Sequence, residues 1–275
     1  MLKLIADSGS TKTQWLLCGD CGRRIIATGG LNPVHMSDEQ IAAVLENELF
    51  PEISAAEMGD IGEVAFYGAG VRDVWKERMQ GVLRSAFPQA RTVSVESDML
   101  GAARALLGEG RGIACILGTG SNSCYYDGQH IVKSVPPLGY ILGDEGSGAR
   151  LGRRLVADVM KGVMSEDVCN LFWKETGETS ESVIRKIYRE PLPARYLASF
   201  ATFLARHIEI PEIRELVIDE FRLFFERNIK LYDVGIKEIN FVGSIAYYFS
   251  SELGVAARQE GYEIGTIIKN PIDRL

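Results

Sequence analysis

The alternation of apolar and polar positions predicts that the chain begins with three strands. Apolar residues concentrate in Lys3–Ala6, Thr13–Cys18 and Arg23–Thr28, and short segments of this kind, bounded by Gly, Ser and Asp, are typical of strands. Gly9 lies in the first intervening turn, and Gly19-Asp-Cys-Gly22 forms the second. We therefore expect an antiparallel three-strand unit at the start of the chain.

Helical and strand patterns alternate after this unit. Ser37-Asp-Glu-Gln40 has the form of a capping box, and the apolar residues that follow it recur at helical spacing. The pattern then predicts a strand over Glu63–Tyr67, a helix over Val71–Phe87, a strand over Thr92–Val95 and a helix over Asp98–Leu107. An order of βββαβαβα, with an antiparallel opening followed by crossovers, predicts an α/β fold with a mixed sheet and helices on its faces.

The second part of the chain repeats this opening after a flexible junction at Gly108–Gly112. Ile113–Leu117 is a predicted strand, residues 118–122 a turn of small residues, and Ser123–Tyr126 and Gln129–Val132 two further strands, with a tight turn at Asp127-Gly128. We therefore expect two domains, residues 1–109 and 110–275, with the last residues packing back on the first. Two similar domains that face each other would present both turns to one cleft.

The chain becomes helical after residue 147, with segments predicted near residues 147–162, 165–174, 180–189 and 194–206. Pro211–Asp233 has the clearest helical period, and we interpret its phenylalanine stripe as core. Glu238–Val242 is then a predicted strand that runs into Gly243-Ser244, and a helix follows from Ile245. This arrangement aims the amino-terminal amides of a helix at whatever binds the loop.

The composition of the chain limits the classes of protein to which it can belong. The chain has 275 residues, of which 46% are hydrophobic and 24% charged, and its net charge is −7. This composition predicts a packed core, and the negative charge argues against nucleic acid or an anionic membrane as the main partner. Since no apolar run is long enough for a membrane span and no signal-peptide pattern precedes the first strand, we expect a cytoplasmic protein.

The five cysteines do not form a metal-binding pattern. Cys18 and Cys21 have CxxC spacing, but no second pair accompanies them, so the sequence does not favour a zinc or thiol–disulfide site. Reduced thiols suit a cytoplasmic protein.

The first turn contains the residue types that bind phosphate. Asp7 ends a strand, and Ser8-Gly9-Ser10-Thr11 follows it with a glycine that allows a sharp turn and hydroxyls that can approach a ligand. A carboxylate at this place can hold a hydrated Mg²⁺ beside a phosphate. The alternative interpretation is a polar hairpin turn without a ligand.

Three turns together indicate a protein family: Asp7–Thr13, Leu117–Asn122 and Val242–Ser244. Their order and spacing resemble the phosphate-1, phosphate-2 and adenosine motifs of the superfamily that contains actin, the heat-shock chaperone ATPases and the sugar kinases. Within that superfamily, Leu117–Asn122 and Gly139-Tyr-Ile-Leu-Gly-Asp144-Glu-Gly-Ser-Gly148 resemble the N-acetylglucosamine kinase and BadF/BadG/BcrA/BcrD ATPase group. The resemblance runs from residue 2 to the end of the chain.

The resemblance implies two actin-like, ribonuclease H-like domains around a central cleft. It also implies ATP-dependent phosphorylation of an amino sugar. The first candidate for the sugar is N-acetylglucosamine, followed by glucosamine and N-acetylmuramic acid. The implied cofactors are ATP and Mg²⁺. The roles that it implies are the catalytic base for Asp98, Mg²⁺ positioning for Asp7, ATP binding for Ser10, Thr11, Lys12, Thr119, Gly120, Gly243 and Ser244, and sugar binding for Asn32, Ser121, Asn122, Leu138, Gly139 and Asp144.

These residue types suit phosphoryl transfer. The reaction needs a metal that neutralises the charge of the phosphates and a carboxylate that takes the proton of the attacking hydroxyl. Asp98 starts a helix, where the helix dipole favours its ionised form. The alternative interpretations are an ordinary helix N-cap for Asp98 and a turn aspartate for Asp144.

The chain departs from the resemblance at two places. Pro136-Pro-Leu-Gly139 stands where the sugar kinases commonly have Gly-Gly-Trp-Gly, so an aromatic residue is lost at Leu138 and the identity of the sugar stays open. Ser8 and Ser10 replace two glycines of the first loop, and we expect the phosphate role to survive because both are small and hydroxylated.

Two other functions remain as alternatives. One is an ATPase activator of a 2-hydroxyacyl-CoA dehydratase, but those activators hold an iron–sulfur cluster through cysteines, and residues 147–162 contain none. The other is a sugar or nucleotide sensor without catalysis, against which the presence of Asp7, Asp98 and both threonines argues. A homodimer is left open, and the three histidines are assigned no role.

Overall fold

The computed structural model describes residues 1–9, 12–19, 22–72 and 74–275. The chain divides into two units, one formed by Met1–Gly108 with Pro271–Leu275 and the other by Glu109–Asn270. Each unit is built on a five-stranded mixed sheet. The predicted α/β class with two mixed sheets is confirmed.

The sheet of the first unit has the order β3-β2-β1-β4-β5. Its strands are β1 (Leu2–Ser8), β2 (Lys12–Gly19), β3 (Gly22–Gly29), β4 (Ile61–Gly68) and β5 (Thr92–Ser97). The first three strands pair antiparallel, and β4 and β5 are added parallel to β1. The carboxyl ends of β1, β4 and β5 therefore meet at one edge of the sheet.

The helices of the first unit follow the predicted order with one addition. They are α1 (Asp38–Val44), α2 (Ala55–Asp60), α3 (Val74–Ala86) and α4 (Asp98–Leu107), and α1 continues into a π-helical turn (Leu45–Leu49) and a 3₁₀ turn (Phe50–Glu52). The capping box at Ser37 is present as predicted. Helix α2 was not predicted, although Ser54 and Glu57 form the same motif at its start.

The sheet of the second unit repeats the topology of the first. Its strands are β6 (Gly112–Leu117), β7 (Ser121–Tyr126), β8 (Ile131–Ser134), β9 (Glu238–Val242) and β10 (Glu263–Ile268), in the order β10-β9-β6-β7-β8. The β6–β7 and β1–β2 turns therefore occupy equivalent places in two sheets of equal order. Strand β8 starts two residues later than predicted, because the Asp127 carboxylate accepts hydrogen bonds from the N–H groups of Gln129 and His130 and keeps them in the turn.

Helices supply most of the second unit's remaining chain. They are α5 (Gly139–Leu142), α6 (Gly148–Met160), α7 (Glu166–Thr176), α8 (Ser180–Arg189), α9 (Pro193–Ser199), α10 (Ala201–Arg206), α11 (Pro211–Arg227), α12 (Ser244–Tyr248) and α13 (Ser250–Gln259). Phe221, Phe224 and Phe225 of α11 are fully buried, so the phenylalanine stripe is core as predicted. The four-residue helix α5 was not predicted.

The last residues of the chain belong to the first unit. Pro271–Asp273 forms a 3₁₀ turn, and Ile272 is fully buried in a small cluster with Ile5, Leu16 and Tyr67. Within the described ranges, none of the helices combines the length and the apolar character that a membrane crossing requires.

Candidate active site

Asp7 and Asp98 lie at the carboxyl ends of two strands that are separated by a third. Asp7 pairs with Tyr67 of β4, and the next residues of β4 and β5, Gly68 and Ser97, pair with each other immediately before Asp98. Since neighbouring strands are about 4.8 Å apart, the two backbones are separated by roughly 10 Å. Both carboxylates therefore belong to the same edge of the first unit.

The cap of helix α4 is Ser97 rather than Asp98. The Ser97 hydroxyl accepts a hydrogen bond from the N–H of Leu100 at 3.2 Å. Asp98 Oδ1 accepts one from the N–H of Met99 at 2.8 Å. Asp98 thus sits in the first turn of α4 as a carboxylate that the helix does not need as its N-cap.

The surroundings of Asp98 make it a stronger base than an ordinary aspartate. Burial raises the pKa of Asp98, and the hydrogen bond from Met99 and the charge of Arg72 offset this only in part. A carboxylate with a raised pKa accepts a proton more readily, which suits a general base.

Asp7 is a carboxylate without enough compensating charge. Burial raises the pKa of Asp7 to about 7, the charges of Asp98 and Asp273 add to the rise, and Lys12 opposes it. A divalent cation would supply the missing charge, and carboxylate oxygens are the ligands that Mg²⁺ prefers. Among the described residues, no three Asp, Glu, His or Cys side chains converge to hold a metal by themselves.

Ser8 joins the β1–β2 hairpin to the loop that carries Asn32. The Ser8 hydroxyl is buried, accepts a hydrogen bond from the N–H of Leu31 at 3.0 Å and lies 2.7 Å from Oγ1 of Thr13. Thr13 in turn donates to the carbonyl of Gly29 at 3.0 Å. The Ser8 hydroxyl is thus used inside the unit, and the phosphate role expected of the loop stays a prediction.

Asn32 is buried and held against the loop after β4. Its Oδ1 accepts a hydrogen bond from the N–H of Val34 at 3.0 Å. Gly70 adopts φ +77°, and a Cβ at Gly70 would lie 2.5 Å from Asn32 Oδ1. The glycine is needed both for its conformation and for the close approach of its backbone to the amide.

In the second unit, the turn after β6 is bonded to the start of helix α6. The N–H of Gly148 donates to the carbonyl of Gly118 at 2.9 Å, and the N–H of Ala149 donates to that of Thr119 at 3.0 Å. Ser147 caps α6 by accepting from the N–H of Arg150. The Thr119 residue is exposed, whereas the backbone around it is fixed by the helix.

Asp144 is bonded to the same turn. Its Oδ1 accepts a hydrogen bond from the N–H of Ser121 at 3.2 Å, and a Cβ at Gly120 would lie 3.1 Å from its carboxylate. Asp144 itself has φ +55°. Burial raises its pKa to about 6, the bond from Ser121 lowers it, and the charge of Glu145 raises it further. Asp144, Gly120 and Ser121 are therefore brought together as one cluster.

The residues that follow Asp144 anchor it to helix α11. Glu145 is buried and pairs with Nε of Arg227 at 2.8 Å, and Asn228 donates to its other oxygen at 3.4 Å. Gly146 has φ +73°, and a Cβ there would lie 3.1 Å from Cβ of Phe224. The Gly-Asp-Glu-Gly-Ser element is thus fixed to α11 and Asn228 by the contacts of Glu145 and Gly146.

Gly243 lies directly against the end of β6. It adopts φ +122°, and a Cβ there would lie 2.2 Å from the carbonyl oxygen of Leu117. Ser244 is exposed beside it. Two exposed tyrosines follow on α12, and Lys269 donates to the hydroxyl of Tyr248 at 2.6 Å. The third predicted turn is therefore packed on the second one.

The remaining predicted residues are less closely tied to these clusters. Asn122 is half-buried in β7, with its Oδ1 accepting from the N–H of Ser123 at 2.9 Å. Leu138 and Gly139 are exposed, and Lys12 is exposed at the start of β2. Ser10 and Thr11 lie outside the described residues.

Sequence reasoning missed the roles of Gly70 beside Asn32 and of Ser8 beside Leu31. The glycine pair in Gly68-Ala-Gly70 after a strand was a usable signal, since glycines there indicate a turn or a close backbone approach. No local signal marks Ser8, because its partner Leu31 is 23 residues away.

The fold of the whole chain is similar to that of several solved structures. The chain is 41% identical to a Porphyromonas gingivalis protein described as a "Putative N-acetylglucosamine Kinase", with a TM-score of 0.95 over 98% of this chain and 95% of that one. A Chromobacterium violaceum protein of the same description is 20% identical, with a TM-score of 0.76 over 99% and 96%.

A more distant match shares the fold. It is a Listeria monocytogenes protein described as a "putative N-acetylmannosamine kinase", 15% identical, with a TM-score of 0.50 over 97% of this chain and 93% of that one. No protein-family model matches the chain, and no curated protein does.

Proposed function

Because this chain belongs to the N-acetylglucosamine kinase and BadF/BadG/BcrA/BcrD ATPase family of actin-like sugar kinases, we propose that it transfers the terminal phosphoryl group of ATP to a hydroxyl of an amino sugar. N-acetylglucosamine is the first candidate for the sugar. The observation that carries the proposal is Asp98, a half-buried carboxylate directly after a strand end that has a raised pKa and is not needed as a helix cap.

Asp98 would act as the general base. Its carboxylate would take the proton from the attacking sugar hydroxyl as the bond to phosphorus forms and the bond to ADP breaks. Burial favours the protonated form of Asp98, so the proton has an acceptor that is stronger than an aspartate in water. A positioned base contributes on the order of 10²- to 10⁴-fold to the rate.

The sugar-binding residues of this proposal are Asn32, and Asp144 with its neighbours. Asn32 is fixed by Val34 and Gly70, which leaves its amide nitrogen in a defined place for a sugar oxygen. Asp144 would accept from a sugar hydroxyl, while Ser121 and Asn122 lie beside it on β7. Leu138 would set the preference for the substituent on the sugar.

ATP would be held by backbone amides and small side chains. In this proposal Ser10, Thr11 and Lys12 contact phosphate from the first hairpin, and Thr119 and Gly120 do so from the second turn. Gly243 and Ser244 would contact adenosine, and the lack of a side chain at Gly243 lets its backbone pack against the carbonyl of Leu117 beside the second turn. Mg²⁺ would neutralise the charge on the phosphates, and Asp7 is the residue that would hold it, through water.

The test is a coupled assay of ADP release with Mg·ATP against a panel of amino sugars and plain hexoses. We expect turnover with an N-acetylated amino sugar and a loss of at least a hundredfold in kcat for Asp98→Asn, with ATP binding unchanged. Asp127→Asn is the matched control, because Asp127 is an exposed turn aspartate.

The outcomes separate the alternatives. Turnover with a different sugar would support the proposed phosphoryl transfer but not the choice of N-acetylglucosamine. The sugar preference would then have to be explained by Leu138. Full activity of Asp98→Asn would remove Asp98 as the base. Tight sugar binding without phosphate transfer in the unmodified protein would refute the kinase proposal and favour a sensor.

A further inference from the structure

Helix α5 is a structural element that cannot be stable by itself. It has only four residues, Gly139–Leu142, and Leu138 before it has the left-handed backbone conformation with φ +60°. Isolated helices this short do not persist in water. Three large aliphatic side chains of this segment, Leu138, Ile141 and Leu142, are 62%, 66% and 68% exposed. Something other than their own burial must therefore hold the segment in place.

Arg153 of helix α6 supplies a direct restraint. Its Nη1 donates to the carbonyl of Tyr140 at 3.0 Å and to the carbonyl of Ile141 at 3.1 Å. The last carbonyls of a helix have no partner inside the helix, so the guanidinium takes the role that a C-terminal cap would otherwise have. Because a guanidinium is planar and carries several donors, one group can serve both carbonyls.

The neighbouring arginines on α6 have different partners. Arg150 pairs with the buried Glu220 at 3.2 Å, and Arg154 pairs with Asp219 at 3.1 Å. Burial lowers the pKa of Arg153, and Arg150 lowers it further, although Glu220 and Glu145 act in the other direction. Among the residues that the structure describes, the two hydrogen-bond partners of Arg153 are both in α5.

The restraint on α5 is passed to Asp144 through the backbone. The N–H of Gly143 donates to the carbonyl of Gly139 at 2.8 Å, and the N–H of Asp144 donates to the carbonyl of Pro137 at 2.9 Å. A Cβ at Gly143 would lie 2.0 Å from the Pro137 oxygen, so the two ends of the segment are in tight contact. A movement of α5 would therefore move the backbone from which Asp144 projects.

We propose that Arg153 is a positioning residue for sugar recognition, which clamps α5 so that Leu138 and Asp144 keep the geometry in which they meet the sugar. This inference rests on the proposed function for the role of Leu138 and Asp144. The clamp itself rests only on the two hydrogen bonds to α5.

The first test compares Arg153→Met with Arg154→Met. Both variants remove one positive charge from the same helix, but only the first removes the bonds to α5. For Arg153→Met we expect KM for the sugar to rise tenfold or more, with kcat and KM for ATP within about twofold of the unmodified enzyme. Arg153→Lys should recover part of the loss, since an ammonium can donate to these carbonyls without the planar geometry. An unchanged sugar KM in Arg153→Met would overturn the role in recognition.

Amide hydrogen exchange tests the clamp without any substrate. We expect the amides of Gly143 and Asp144 to exchange at least tenfold faster in Arg153→Met than in Arg154→Met, while the amides of β6 and β7 stay unchanged. Equal exchange in the two variants would overturn the clamp. If the unmodified protein phosphorylates no sugar, the proposed function fails, and the exchange result still decides whether Arg153 holds α5.

Discussion

The backbone N–H of Ser121 donates a hydrogen bond to Oδ1 of Asp144 at 3.2 Å. This bond joins the turn after β6, to which a phosphate-binding role is proposed, with the element that is proposed to bind the sugar. The same carboxylate lies against Gly120, where a Cβ would be 3.1 Å from its oxygen. A change in the charge of Asp144 should therefore affect both the turn after β6 and the element that is proposed to bind the sugar.

The charge of Asp144 should make sugar binding dependent on pH. Its pKa is raised from 3.8 to about 6 by burial, so the carboxylate becomes protonated as the pH falls through 6. A protonated Asp144 loses acceptor capacity for a sugar hydroxyl. We expect KM for the sugar to rise by up to ~tenfold per pH unit below about pH 6, as measured by initial rates between pH 5 and 8. Asp144→Asn should remove this dependence and raise KM most between pH 7 and 8, where the unmodified residue is charged.

The same shift should affect stability in the absence of ligands. Since the folded state binds the Asp144 proton more tightly than the unfolded state, this residue favours folding below pH 4, and that contribution is lost as the pH rises through 6. Denaturant titrations at pH 4.5 and 7.5 should show that Asp144→Asn stabilises the protein more at the higher pH. An equal effect at both pH values would contradict the assigned pKa.

Gly70→Ala should weaken sugar binding through Asn32. The added Cβ would lie 2.5 Å from Asn32 Oδ1 and would have to be accommodated at φ +77°. We expect KM for the sugar to rise severalfold or more, with KM for ATP nearly unchanged, in steady-state assays that vary each substrate. Gly81→Ala on the exposed side of α3 is the control, because a Cβ there meets nothing within 4 Å. That change should stabilise the helix by about 0.5–1 kcal/mol and leave both KM values unchanged.

The sequence predicts elements best where local signals at both ends agree with the apolar period. Helix Asp98–Leu107 and strand Glu238–Val242 are found with the predicted bounds. Ser97 before the helix is a local start signal and Gly108 after it is a local stop signal, and neither needs a tertiary contact. In contrast, α5 has neither a period nor a cap, and the carbonyls at its end are bonded by Arg153, twelve and thirteen residues later. A contact of that kind cannot be inferred from a local pattern.

The same limit applies to the candidate site. Asp7 stands at the end of a strand and Asp98 at the start of a helix, and Asp144 lies in a glycine-rich loop before α6, so their positions could be predicted from the sequence. The pKa values could not, because they depend on burial and on charges such as Arg72 that lie far away in the chain.

Arg72 should set the acid limb of the pH profile. Its positive charge lowers the pKa of Asp98, which burial raises. For Arg72→Gln the pKa of Asp98 should therefore rise, and the acid limb of kcat/KM should move to higher pH. High salt should reduce the difference between the two enzymes, since Arg72 is exposed. Arg84→Gln, at an exposed position on α3, is the control, and an identical acid limb in Arg72→Gln would rule out this coupling.

Ser8→Ala should destabilise the first unit and loosen the loop that carries Asn32. The substitution leaves the buried N–H of Leu31 without its acceptor and removes the contact with Thr13. An unsatisfied buried donor costs about 1–3 kcal/mol, so the free energy of unfolding in denaturant titrations should fall by that amount. Ser85→Ala removes an exposed hydroxyl bonded to the carbonyl of Gly81 and should change stability by less than about 0.5 kcal/mol. Because Leu31 precedes Asn32 directly, Ser8→Ala should also raise KM for the sugar more than KM for ATP. A rise confined to KM for ATP would instead mean that the Ser8 hydroxyl serves phosphate.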